Sequence, residues 1–174
     1  MTTLYTIIQF ITFPGCLTRA FFQQIVCRIC KIPVEDSRYL RYDEMAGHIE
    51  HHLAKTPRSA FALCFVPAFF NILLAFSVGT MSAFRLFYIG AFTTPTVFID
   101  VVCVWFALSL LTNTAPLRED CAMMWSLVYS KQSNFLQKIF YFPGALICRI
   151  DAFFDAYCIN FVLAIVFVAV AAAM

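Results

Sequence analysis

Charged residues are scarce in this chain of 174 residues. They make up 13 % of it, against roughly 25 % in soluble proteins, while hydrophobic residues reach 62 %. Residues 59–78 contain no charged side chain at all. As a helix, this stretch would be about 30 Å long, which matches the hydrocarbon layer of a bilayer. The scarcity of charge argues against a soluble domain, and we expect an integral membrane protein in contact with the lipid bilayer.

Runs of lysine and arginine are also absent, and the net charge is only +2. Nucleic acid is therefore not an expected partner. Cys27 and Cys30 have CxxC spacing, but no second CxxC follows to complete a four-cysteine zinc site. Most of the other cysteines lie inside apolar runs, where a thiol behaves as a small hydrophobic group. We therefore favour packing over a metal or redox role for this pair.

The apolar segments predict an all-α fold, a polytopic membrane helical bundle with about four transmembrane helices and short interfacial helices. The chain is long enough for a single domain over residues 1–174. Pro14 and Gly15 should interrupt the first helix. The predicted spans are residues 4–30, 59–79, 96–112 and 152–174.

Basic residues predict the orientation of the spans. Residues 31–58 contain five lysines and arginines, and residues 114–149 contain four, whereas the connection between the second and third spans has only Arg85. Basic connections remain in the cytoplasm. We therefore expect a multi-pass protein with both termini on the non-cytoplasmic side, and a bacterial plasma membrane as its location.

The sequence FPGxL occurs twice, at residues 13–17 and 142–146. Such a pair could mark an inverted repeat of discontinuous helices, as in transporters. It could also mark two helix starts with proline in the first turn. We favour two helix starts, because nothing beyond these five positions repeats.

A dense group of potential metal ligands lies in residues 43–52. In a helix, Glu44 and His48 would share a face with His52, and His51 would lie three residues after His48. Imidazole and carboxylate are ligands that zinc takes. The alternative is a polar helix at the membrane surface whose side chains meet water.

Other polar residues are predicted within or beside the spans. Arg19 and Gln23 are four residues apart, hence on one helical face, and Arg19 could pair with Asp100 or Asp155. Asp120 follows the third span and is a further polar candidate. Together with Glu119 it could also simply cap the start of a helix and interact with the helix dipole. Polar side chains at this depth are costly and usually face a partner or a cavity. We predict a polar intramembrane cluster of Arg19, Gln23, Asp100 and Asp120.

These motifs, in this order, resemble the site-2-protease-like superfamily of integral-membrane zinc metallopeptidases. In members of this family the first helix starts with Pro-Gly and carries an HExxH motif and then a Cys-Arg pair. A GxVxH-like segment and a span with proline and asparagine follow. A loop of the form N/H-x-x-P-x-x-x-D comes after a later span. The matching positions here are Pro14-Gly15, Cys27-Arg28, residues 47–51, Pro67 with Asn71, and Asn113 with Pro116 and Asp120. The resemblance covers residues 10 to 130 and implies a membrane-embedded peptidase fold.

The chain departs from this family where HExxH belongs. Arg19, Ala20 and Gln23 replace both histidine ligands and the general-base glutamate. A peptidase of this kind needs those histidines to hold zinc and the carboxylate to activate water. Arg19 would place its positive charge where the ion belongs and could pair with Asp120. The resemblance thus implies a divergent member with a degenerate motif and no catalytic residues.

Three functions follow from these observations. The first is a catalytically inactive homologue that binds a membrane protein partner, or another copy of itself, without a cofactor. The second is an active metalloenzyme with a relocated zinc site built from His48, His51 and Asp120, with Glu44 and His52 as further candidates. The third is a small transporter-like subunit, suggested by Asp100, Arg19 and the FPGxL pair.

Overall fold

A computed structural model describes residues 3–38, 48–90, 92, 95–130 and 134–173. The chain is mostly helical, as the composition predicts. In the described residues the helices are α1 (Thr3–Ile11), α2 (Phe13–Ile29), α3 (Pro57–Ala83), α4 (Val97–Thr112), α5 (Arg118–Val128), α6 (Phe135–Ala156) and α7 (Ile159–Ala173), and the strands are β1 (Val34–Arg38) and β2 (His48–His51).

The first apolar segment breaks between α1 and α2, where Pro14 occupies the first turn of the second helix. This confirms the predicted interruption. Backbone carbonyl groups at the break also accept hydrogen bonds from outside their own helices. The carbonyl oxygen of Ile11 accepts from Trp105 Nε1 at 3.0 Å, and that of Thr12 accepts from Ser109 Oγ at 2.7 Å. Both donors belong to α4, which therefore holds the break in place.

The α3 helix is the longest element. It begins with Thr56 accepting a hydrogen bond from the Ser59 amide, and it continues into a π-helical turn at Phe84–Tyr88. Among the described residues, the continuous run Pro57–Tyr88 is the one helix both long and apolar enough to cross a bilayer. Its 32 residues extend about 48 Å. Only 28 % of its apolar window is buried, so most of this surface is not covered by protein.

The other predicted spans have different geometries. The α4 helix is apolar but only 16 residues long. Residues 152–174 do not form one straight helix, because α6 continues to Ala156 and α7 starts at Ile159. Cys158 between them has a positive φ of 59°, and the two helices bend by 95°. The two arms are long and apolar enough for a membrane span only when they are counted together.

The histidine-rich segment forms a strand over the part that the structure describes, so the helix expected there is wrong for His48–His51. The strand β2 pairs antiparallel with β1, with Val34 opposite His51 and Arg38 opposite His48. In β2 the backbone hydrogen bonds go to β1 and not to residues of the same segment. Because successive side chains in a strand point to opposite faces, the helical spacing of three and four residues no longer places side chains on one face. Glu44 lies outside the described residues.

The main core lies between α2, α3, α5 and α6. It contains Cys27, Leu63, Met124 and Cys148, each almost completely buried. Among the residues that the structure describes, no cysteine forms a disulfide, and Cys27 packs as a hydrophobic residue, as the sequence favoured. This core fixes the start of α5 beside α2.

The two FPGxL segments occupy unlike positions. Pro14 lies in the first turn of α2, as expected for a helix start, whereas Pro143 lies inside α6. The interpretation as two helix starts is therefore right for the first copy and wrong for the second. The two glycines also meet different surroundings, since Gly15 contacts backbone and Gly144 contacts side chains.

Candidate functional site

Asp120 is the centre of a buried polar cluster built from three separate elements. Its Oδ2 accepts a hydrogen bond from Gln23 Nε2 on α2 at 2.8 Å, and its Oδ1 lies 3.0 Å from His51 Nε2 on β2. The carboxylate itself belongs to the first turn of α5, where the helix dipole favours a negative charge. The side chains of His51 and Asp120 are 8 % and 5 % exposed. Both carboxylate oxygens are therefore engaged by protein groups.

His51 is held at both ring nitrogens. Its Nδ1 lies 2.9 Å from the carbonyl oxygen of His52, and its Nε2 faces the Asp120 carboxylate. Both oxygens act only as acceptors, so the doubly protonated imidazolium satisfies both contacts. Gln23 Nε2 is 3.4 Å from His51 Nε2, but its shorter contact is with Asp120. The hydrogen bond to Asp120 is the main cause that raises the pKa of His51 above its ordinary value.

Arg19 and Asp100 lie outside the Asp120 cluster. Arg19 is 4 % exposed, and its Nη1 donates to the carbonyl oxygen of Ala115 at 3.1 Å, in the loop before α5. The hydrogen bond of Arg19 thus goes to a backbone carbonyl and not to the Asp120 or Asp100 carboxylate. Its charge interacts favourably with the carboxylate of Asp155, one of the partners considered from sequence. Asp100 Oδ2 instead lies 3.4 Å from Arg85 Nη2. Of the four residues in the predicted intramembrane cluster, Gln23 and Asp120 are in direct contact.

Two of the three predicted metal ligands come together. His51 and Asp120 are in contact, while His48 lies at the other end of β2 and its side chain is outside the described part of the structure. His52 is exposed and pairs with Glu35 at 3.1 Å. A zinc centre needs at least three protein ligands. Within the described residues, no group of three or more histidine, cysteine or acidic side chains is placed to hold a metal ion, so the donors seen fall one short.

A second polar contact network joins α2, α3 and α4 beside this cluster. Asn113 Nδ2 donates to the Thr12 carbonyl oxygen at 3.0 Å, and Asn71 Nδ2 donates to the Asn113 carbonyl oxygen at 3.1 Å. The Gly15 amide donates to Ser109 Oγ at 2.7 Å. Gly15, Asn71 and Asn113 are positions on which the family resemblance rests. Ser109 was missed, because a serine within an apolar helix gives no signal of a distant partner.

A cleft of about 210 Å³ opens over the Asp120 cluster. Residues of β2, the segment after it and the start of α5 line it, including Glu50, His51, Leu53, Glu119 and Asp120. Leu53 is 77 % exposed at its edge. The buried polar cluster is therefore reachable from the surface through this opening.

Comparison of the chain with protein-family models, with curated proteins and with solved structures finds no match.

Proposed function

We propose that this chain is a multi-pass membrane protein of the zinc-metallopeptidase-like type, in which a hydrogen-bonded cluster takes the place of the metal centre. It binds a membrane partner at the cleft and does not cut it. One observation carries the proposal: the Gln23 side chain, at the second histidine position of the degenerate motif, contacts the Asp120 carboxylate at 2.8 Å. One motif position and the expected third ligand thus lie within hydrogen-bonding distance of each other.

The membrane part of the proposal is supported by the exposed surface. Large apolar side chains are exposed on α3, α4, α6 and α7, among them Phe69, Phe98, Phe140 and Val162. Soluble monomers rarely expose extended apolar areas of this kind. The charge-free stretch 59–78 within α3 and the bent α6–α7 pair supply apolar length, and lipid is the solvent that such a surface requires.

The loss of catalysis follows from the donor set. An amide at Gln23 and an alanine at position 20 supply neither a histidine ligand nor a general base. The buried guanidinium of Arg19, one turn before Gln23, adds a positive charge close to the place where the family has a cation. The Gln23 and His51 contacts satisfy Asp120 in place of the ion.

Restoring the motif tests the proposal. The triple variant Arg19→His, Ala20→Glu and Gln23→His should bind about one equivalent of Zn²⁺ after chelator washing, because two histidines would join Asp120 on one side of α2. A matched control carries Arg19→His, Ala20→Glu and Gln24→His, which turns the second histidine about 100° around the helix. Zinc content is measured by elemental analysis of detergent-purified protein. A folded triple variant that holds no more zinc than its control would reject the proposed geometry.

The relocated metal site is a second candidate, because His51 and Asp120, two of its three predicted ligands, are in contact. The same zinc measurement on the unaltered chain separates the two. Tight zinc that is lost on His48→Ala with His51→Ala would favour the metalloenzyme. The partner-binding proposal expects zinc-free protein with an intact fold.

Partner binding is tested by photo-crosslinking in the native membrane. A photoreactive phenylalanine analogue replaces Leu53 at the edge of the cleft, and the control replaces Phe135, which is 76 % exposed at the start of α6. We expect one defined crosslinked membrane protein from position 53 and none of the same mass from position 135. Equal products from both positions would contradict a binding site at the cleft.

A further inference from the structure

A groove with a basic rim and an apolar floor shares no lining residue with the cleft. It has a volume of about 600 Å³ and runs between the start of α5 and the second half of α6. Two arginines, Arg118 and Arg149, line it. The large apolar side chains in its lining are Leu146, Ile150, Phe153 and Tyr157. The cluster at Asp120 does not use this groove.

The chemistry of the groove is that of an amphiphile with a negative head. Arg118 and Arg149 are both exposed, and the Arg149 guanidinium lies 4.9 Å from the ring centre of Trp125. The four apolar side chains are between 41 % and 67 % exposed. Glu119, next to Arg118, lines the cleft and not this groove, and Asp155 near the end of α6 is an acidic group whose charge reaches Arg118. Guanidinium groups bind phosphate through paired hydrogen bonds, and the apolar floor suits acyl chains.

We propose that this groove binds the phosphate head and the first part of the acyl chains of an anionic phospholipid. The inference rests on the proposed membrane location, though not on partner binding at the cleft. Arg118 and Arg149 belong to the basic connection predicted to be cytoplasmic, and the cytoplasmic leaflet is the anionic one. The groove thus holds the α5–α6 corner against that leaflet.

Trp125 serves as a reporter because Arg149 packs on its ring. The chain has two tryptophans, so a Trp105→Phe background leaves Trp125 alone. This protein is reconstituted into phosphatidylcholine vesicles that contain brominated phosphatidylglycerol or, at the same mole fraction, brominated phosphatidylcholine. Bromine quenches indole fluorescence at contact. We expect stronger quenching by the anionic lipid, with an enrichment of about fivefold for each arginine.

Three variants decide the origin of the preference. Arg118→Gln with Arg149→Gln should quench equally with both lipids, and Arg118→Lys with Arg149→Lys should keep most of the preference. Arg58→Gln, an exposed arginine at the start of α3 outside the groove, is the matched control and should change nothing. Inorganic phosphate should weaken the preference no more than chloride at equal ionic strength.

Several results would overturn the inference. Equal quenching of the unaltered protein by both lipids would show a membrane protein without this site. A double glutamine variant that keeps the preference would place the lipid elsewhere, and specific competition by inorganic phosphate would make the ligand a free ion. Absence of quenching by either lipid would reject lipid contact at the groove. The zinc measurement tests the cleft separately, so failure of the lipid site would not decide the proposed function.

Discussion

His51 and Asp120 form the best defined side-chain pair of the site. The carbonyl oxygen and the carboxylate that His51 faces can only accept, so folding favours the protonated ring. Gln23 supplies the neutral donor on the other carboxylate oxygen. The pair therefore couples the fold to pH through one imidazole.

The direction of this coupling can be predicted. The pKa of His51 is raised in the folded chain above its ordinary 6.5. Its contribution to stability is then complete below about pH 6.5 and is lost as the pH rises through the raised folded pKa. We expect the free energy of unfolding in detergent to fall over that interval, and the fall to be absent in His51→Gln.

An NMR titration of the His51 ring checks the cause. In Asp120→Asn the ring should titrate at a lower pH than in the unaltered protein, because the hydrogen bond to the carboxylate is the largest cause of the shift. Titration of His51 at the same pH in both proteins would contradict the assignment.

At the scale of elements, the contact between α2 and α4 depends on one glycine. A Cβ atom built on Gly15 would lie 2.0 Å from the carbonyl oxygen of Ser109. This oxygen belongs to the α4 backbone and cannot move without the helix. The close approach also brings the Gly15 amide to Ser109 Oγ.

The two FPGxL glycines offer a matched comparison. Gly15→Ala should destabilise the protein by at least about 2 kcal/mol, because two backbones must separate. In Gly144→Ala the new Cβ would lie 2.8 Å from the Phe61 ring, a side chain that can shift, so the loss should be smaller. Thermal or denaturant unfolding of both variants measures the difference. A negligible loss in Gly15→Ala would contradict the close backbone contact between α2 and α4.

For the whole molecule, local patterns predicted elements well and long-range pairing poorly. The break at Pro14 and Gly15, the apolar α3 and the approach of His51 to Asp120 follow from residue types and order along the chain. The strand at His48–His51 does not, because its hydrogen bonds come from β1 and not from its own residues. Sequence spacing also could not predict the hydrogen bond from Arg19 to the Ala115 carbonyl oxygen, because every residue has such a carbonyl group whatever its side chain.

The predicted topology of the whole chain can be measured with fusions. If both termini lie outside the cytoplasm, alkaline phosphatase fused after residue 174 should be active, and green fluorescent protein fused there should stay dark. A fusion after Ser130, in the basic connection, should show the reverse pattern. Fluorescence at the C-terminal fusion would contradict the predicted position of the C-terminus outside the cytoplasm.

The carbonyl oxygen of Thr12 accepts from Ser109 Oγ, from Asn113 Nδ2 and from the Gly15 amide. Helix ends ordinarily fray, and their amide protons are the first to be replaced by deuterium. Here Ser109 of α4 and Asn113 directly after it anchor the interruption, so we expect the amide protons of Thr12 and Gly15, which are both hydrogen-bonded, to exchange slowly with deuterium. A break that would destabilise an isolated helix is thus held in a defined geometry by contacts with a neighbouring helix in this fold.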